Sequence, residues 1–377
     1  MAEPEPGQAV LRTVSRPETP LPGRVDRFDA VGRQHSVIRN AKTGNAMRVV
    51  ITGGAGFIGQ KLAAAILERG RLASANGTPT AVTELVLFDR TPADDFGGNA
   101  TVEIGDVADR NLVGRLIDGT TTGVFHLAAI VSAGAEEDFD LGYWTNLEGT
   151  QNVLEACRAL AIPPRVVFAS SIAVYGGDVP DVIKDDTPPS PQTSYGTQKL
   201  IGEHLIHDYS RKGFIDGRAL RLPTIMVRPA PNRAASTWAS SIIREPLQGK
   251  DYDCPVGPHA PMACLSPRRT VDALVRLHDL PSEALGLKRT LLLSGIKAEA
   301  WEMAAAVARN AGNRKTGTVC WKPDPAIVKI VDGWPGEARG ERAESLGMLP
   351  DASIDEIVRA FIDDDLVAGD NDVPENG

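Results

Sequence analysis

One stretch near residue 50, "MRVVITGGAGFIG" (47–59), constrains this chain more than any other. "RVVIT" (48–52) reads as a parallel strand buried on both faces. It runs directly into glycines at 53, 56 and 59, and then into a helical-period stretch, 57–70, that closes on Gly70. A strand, a glycine turn and a helix in that order predict a site for a pyrophosphate. Gly53 takes the tight turn, Gly56 admits the ligand to the backbone, and Gly59 lets the helix pack close to the strand. The unpaired N–H groups at the helix start, at Phe57 and Ile58, then face negative charge.

The same alternation continues. Strands are predicted at 84–89, 101–106, 123–129, 165–171 and 217–223, with helices near 109–117 and 137–160. This succession implies an α/β fold, a doubly wound parallel sheet of the Rossmann kind, over residues 47–229. From 230 to 366 Pro, Gly and Asn become frequent and the elements shorten, with helices near 235–248, 268–279, 299–311 and 353–365 and strands near 289–294 and 317–321. This part reads as a smaller mixed α/β substrate-binding region. Residues 1–46, rich in Pro, Glu and Arg, read as a disordered extension, and 367–377 as a flexible acidic tail.

Composition removes several function classes. A net charge of −9 disfavours a phosphate backbone as partner. No run of eighteen apolar residues is present, so no transmembrane helix is expected. The four cysteines, Cys157, Cys254, Cys264 and Cys320, form no C-x-x-C pair and have no histidine cluster beside them. Reduced thiols in the cytoplasm and no metal are the expectation.

A dinucleotide needs a ribose partner at the end of the second strand. Asp89 ends "ELVLFD", where its carboxylate would accept from ribose hydroxyls and repel a 2′-phosphate, favouring NAD over NADP. The insertion "RLASANGTPTAV" accounts for its distance from Gly59. Asp106 and Val107 would border the adenine, and the small Ala128 and Ala129 would let the cofactor lie close. Tyr195 and Lys199 stand four apart and share a helix face. A phenol ionises near ~10, and positive charge beside it lowers that value. The phenolate could take a proton from a substrate hydroxyl, with Ser171 bonded to the same hydroxyl and Lys199 also holding the nicotinamide ribose.

With "TGGAGFIG", Asp89, "GDV" (105–107), "HLAA" (126–129), "NLEGT" (146–150), "SSIAVYG" (170–176) and "YGTQK" (195–199) in order, the chain resembles the extended short-chain dehydrogenases/reductases, in their epimerase/dehydratase group. The resemblance implies that Asn146 stabilises the central helix and site geometry. It implies that backbone from Pro223 to Ile225 contacts the nicotinamide. It also implies a homodimer, formed through the helices near 137–160 and after Tyr195, where Leu200, Ile201, Leu205 and Ile206 supply apolar stripes. The second half, including "SIIREPLQG" and "DPAIVKIVDGWPG", is similar to sugar-acid dehydrogenases of that group. This implies NAD-dependent oxidation of the C2 hydroxyl of a small sugar acid. A nucleotide-sugar epimerase that retains its NAD is the alternative. A sugar acid needs a cation for its carboxylate: Arg228, Arg244, Arg268 and Arg269 are candidates, with Arg244 favoured. Ser132 and Thr224 could offer hydroxyls to a polyol.

Overall fold

The computed structural model describes residues 46–231 and 234–366. The extension expected over 1–46 and the tail expected over 367–377 lie outside them, apart from Ala46. Six strands open the fold: β1 (Met47–Thr52), β2 (Arg71–Ala73), β3 (Pro79–Asp89), β4 (Ala100–Ile104), β5 (Thr121–His126) and β6 (Arg165–Ser171). With Asp216–Leu222 and Thr290–Leu292 they form one eight-stranded sheet. Its order is Thr290–Leu292, Asp216–Leu222, β6, β5, β1, β3, β2, with β4 also on β3. Only β2 runs antiparallel.

The apolar β1 is explained by its neighbours. It pairs with β3 on one side and β5 on the other, and both of its faces are covered. Val49 and Ile51 join a core with Leu62 and Ile66 of helix α1 (Phe57–Arg69) and Leu274 and Leu277 of the helix Pro267–Asp279. Val50, pointing the other way, packs with Val153, Leu154 and Ile206. Those residues lie on the helices Gly149–Arg158 and Ser194–Arg211. Burying each such side chain contributes about 1.5–3 kcal/mol. A third core joins Trp238, Ile242, Met303 and Phe361 from the C-terminal helices.

Three features differ from the sequence expectation. The insertion before Asp89, for which no element is predicted, is a hairpin: β2 pairs with Pro79–Ala81 across a turn. The strand predicted at 289–294, assigned to the C-terminal region, extends the main sheet at Thr290–Leu292. The helix predicted over 137–160 is broken into Ser132–Glu137, Phe139–Tyr143, a π-helical turn Trp144–Glu148, and Gly149–Arg158. Asp138 ends the first piece and caps the second, accepting from Leu141 N.

Candidate active site

The strand order reverses at β1, which places a crevice at the carboxyl ends of β1 and β5. The glycine turn sits there. Gly53 has φ +74°, and a Cβ on it would come 2.7 Å from Ala128 N. Gly59 is more tightly confined, since its Cβ would lie 2.1 Å from Gly53 O. Helix α1 begins with no side-chain cap and no acidic residue in its first turn. Its half-buried Phe57 and Ile58 therefore open a positive helix end that no side chain satisfies. Asp89 stands beside this turn, accepting from Ala55 N at 3.2 Å and Arg90 N at 2.7 Å. Arg90 turns away to Asp106, 3.6 Å distant. Val107 is buried, and Ala128 and Ala129 are half-buried at the end of β5. A glycine cradle that a Cβ would fill, an uncapped helix start and a carboxylate at the strand end fit a dinucleotide.

Ser171 ends β6, and its Oγ accepts from Ala173 N at 3.1 Å. Thr193 caps the helix Ser194–Arg211, accepting from Gly196 N, so that the helix starts one residue before Tyr195. Ser171 stands beside Tyr195, where its hydroxyl acts on the phenol. Burial raises the Tyr195 phenol above its ordinary value, while that hydroxyl and the charge of Arg228 pull it down. The lowered phenol expected from the sequence therefore needs positive charge beyond what acts on Tyr195 here. Lys199 is 3% exposed and donates from Nζ to Ala169 O at 2.8 Å. Its Nζ lies 4.7 Å from the Phe168 ring centre and 5.7 Å from that of Tyr195. Burial pushes it down to about 7, with the Glu203 carboxylate opposing.

Two buried networks brace these residues. Asn146, within the π-helical turn, donates from Nδ2 to Ile130 O and Gln198 Oε1, and its Oδ1 accepts from Ile130 N. It thereby ties the loop after β5 to the helix that carries Lys199. His126 bridges Thr52 Oγ1 (2.6 Å) and Thr150 Oγ1 (2.9 Å). Burial, then the charge of Lys199, lowers its pKa to about 3. Sequence reading passed over both Gln198 and His126. The visible signal was a polar side chain at a position whose neighbours are apolar or catalytic.

The substrate candidates separate clearly. Arg244, favoured for a carboxylate, is corrected: it is 2% exposed and turned inward. It donates from Nε and Nη2 to Glu245, from Nη2 to Ser241 Oγ and from Nη1 to Arg228 O, which occupies four of its five donors. Arg268 pairs with Asp363 and Asp364, and Arg269 with Glu356. Arg228 is different. Its backbone is held by Ser240 and Arg244, yet its guanidinium has no hydrogen bond or ion pair among the described residues. Its charge acts on Tyr195. Ser132 opens the short helix whose Glu136 accepts from Ser194 N, next to Tyr195. Pro223 is buried between two strands, and Thr224 Oγ1 donates to Met262 Sδ at 3.1 Å.

Residues 49–269 match the family described as the NAD dependent epimerase/dehydratase family. The chain belongs to this family. Two curated relatives match nearly end to end, and both are D-erythronate dehydrogenases. The one from Cupriavidus necator is 49% identical over 84% of this chain and 98% of its own. The one from Haemophilus influenzae is 39% identical over 85% of this chain and 100% of its own. A solved structure from Agrobacterium tumefaciens, described as a nucleoside-diphosphate-sugar epimerase, superposes with a TM-score of 0.80 at 37% identity. That match covers 88% of this chain and 97% of the other. As an enzyme of the NAD dependent epimerase/dehydratase family, the chain has the Rossmann-type fold expected from its sequence and uses NAD. No helix among the described residues is long and apolar enough to cross a membrane.

Proposed function

We propose that this chain is an NAD-dependent dehydrogenase that oxidises the C2 hydroxyl of a small sugar acid, D-erythronate, to 2-dehydro-D-erythronate. The observation that carries this reading is the convergence of the Ser171 hydroxyl and the Arg228 charge on the Tyr195 phenol, with the Arg228 guanidinium otherwise unpaired among the described residues. A proton acceptor, a hydroxyl partner and a cation at one point suit a hydroxyl one carbon from a carboxylate. The two dehydrogenase relatives support it over an epimerase.

The dinucleotide would lie across Gly53, Gly56, Phe57, Ile58 and Gly59, with Asp89 on the ribose, Asp106 and Val107 near the adenine, and Ala128, Ala129 and Pro223 along its length. When bound, NAD supplies the hydride acceptor. Tyr195 takes the hydroxyl proton at its phenolate oxygen, while Ser171 holds the hydroxyl oxygen and then the carbonyl that replaces it. Lys199, with its Nζ 5.7 Å from the Tyr195 ring centre, would lend positive charge to the phenolate and would hold the nicotinamide ribose. Arg228 takes the carboxylate in place of Arg244, in a geometry suited to two parallel N–H donors. Ser132 and Thr224 serve the remaining hydroxyls, and the part of residues 230–366 outside the helix Pro267–Asp279 and the strand Thr290–Leu292 forms the substrate-binding region.

A homodimer is part of this reading. Phe139, Tyr143 and Trp144 stand 59%, 40% and 51% exposed on the segment before Asn146, and Ile201 is exposed on the Tyr195 helix. Ile206, by contrast, packs in the core. A second copy covering these rings would bury them. The buried free thiols Cys157, Cys254 and Cys264 fit a cytoplasmic setting.

The deciding experiment is NADH formation by the purified chain with NAD and D-erythronate. Turnover that vanishes in Tyr195→Phe, with NAD affinity retained, is expected. A wild-type chain that binds NAD but leaves D-erythronate unoxidised sinks the substrate assignment.

A further inference from the structure

Glu203 follows Lys199 by four residues, as Lys199 follows Tyr195, so the three share one face of the Ser194–Arg211 helix. Glu203 is 4% exposed, and a carboxylate at that depth must be compensated. Arg221 meets it with two donors, Nε to Oε1 at 2.9 Å and Nη2 to Oε2 at 2.6 Å. Ser170 Oγ donates to the same Oε1 at 2.5 Å. Arg221 also donates from Nη1 to the Tyr175 hydroxyl. None of these four residues has a part in the chemistry above.

Their placement is specific. Ser170 precedes Ser171 in β6, and Ala169, one residue earlier, supplies the carbonyl that receives Lys199 Nζ. Glu203 therefore grips, through Ser170, the same strand end that Lys199 grips through Ala169. A pair serving stability alone would need Arg221 and Glu203 but not this connection.

We propose that Glu203 is a positioning residue of the proposed reaction: held by Arg221 and Ser170, its carboxylate locks the helix carrying Tyr195 and Lys199 to the strand end carrying Ser171 and favours the ammonium form of Lys199 against burial. This rests on the dehydrogenase reading given above. Lys199 has one carbonyl acceptor and a fully buried position, which favours its neutral form. The charge that opposes this burial is Glu203. The other titratable or charged groups nearby do not replace it. Tyr195 is on the same helix, His126 of β5 is held neutral by its low pKa, Arg221 of the adjoining strand is already bound by Glu203, and Arg228 acts on Tyr195. Removing the carboxylate lowers the Lys199 pKa further, the share of ammonium at neutrality falls, and the phenol becomes harder to ionise.

The test uses the full chain as wild type, Glu203→Gln and Glu203→Asp, with kcat against pH and a thermal melt for each. Glu203→Gln should move the ascending limb up by at least about one pH unit and lower kcat at pH 7 about tenfold. The sugar-acid KM should change less than about threefold, and Glu203→Asp should restore most of the rate. A Glu203→Gln profile that overlays the wild type, with only a lower melting temperature, overturns the proposal. Lysine side-chain NMR, assigned with Lys199→Arg, reads the same effect without turnover. The wild-type Lys199 midpoint should lie near or above about 7, and a midpoint near 5–6, as for an uncompensated buried lysine, overturns the proposal even if Glu203→Gln does not fold. An inactive wild type with Lys199 titrating as expected would sink the substrate reading and leave Glu203 in its role.

Discussion

The buried His126 should make this protein acid-sensitive by an amount that can be calculated. His126 is 1% exposed, bridges two threonine hydroxyls, and has its pKa lowered from 6.5 to about 3, chiefly by burial. In the unfolded chain the imidazole takes up a proton below about 6.5, whereas in the folded chain it does not until about 3. The unfolded state therefore binds more protons across that window, and stability falls as pH falls through it. Each pH unit is worth ~1.4 kcal/mol. Going from pH 7.5 to 4.5 crosses two units below the ordinary value, so His126 alone should remove about 3 kcal/mol. Carboxylates also titrate in this range, so the assay is a difference. Urea unfolding at pH 7.5 and 4.5 is compared for the wild type and His126→Gln, which keeps a polar bridge but has no proton to gain. The wild type should lose about 3 kcal/mol more than the variant over that interval. Equal losses would mean that His126 titrates alike in both states, and the burial argument would fail.

Other perturbations separate the roles proposed for individual residues. Arg228→Met should raise the KM for the sugar acid by about 30-fold or more, the worth of a charge-assisted pair, with NAD affinity unchanged; an unaltered KM returns the carboxylate to another cation. The same change removes a charge that lowers the Tyr195 pKa, so the ascending limb of kcat should also move to higher pH. Asp89→Ala should weaken NAD and narrow its advantage over NADP by about tenfold in paired binding titrations, and an unchanged ratio would remove Asp89 from the ribose. Gly59→Ala places a Cβ 2.1 Å from a backbone oxygen and should cost at least about 2 kcal/mol in a urea melt, together with NAD affinity. Trp144→Glu should convert a dimer to a monomer by light scattering, and a wild type that is already monomeric rejects the interface.

Much of the candidate site was legible because its parts are local. The glycine spacing, the acidic end of β3 and the four-residue step from Tyr195 to Lys199 depend on turn geometry and helical period, which the chain carries in its own order. The insertion before Asp89 was legible as an insertion but not as a hairpin, because β2 is stabilised by pairing with the start of β3. The π-helical turn at Asn146 was not legible either. It answers to partners, Ile130 and Gln198, that lie on other segments.

By itself, then, the sequence determined a parallel sheet, a dinucleotide turn and a Ser–Tyr–Lys set. Period and spacing are properties of neighbouring residues. Only the tertiary structure decided which charges are spent and which are open. Arg244 and Arg228 look alike in sequence, sixteen residues apart, but packing turns one onto Glu245 and Ser241 and leaves the other acting on Tyr195. Nothing in the sequence around Glu203 marks it, and only the fold closes Arg221 and Ser170 around it. Burial and pairing across distant segments set the free energy of a charge, and no local pattern encodes them.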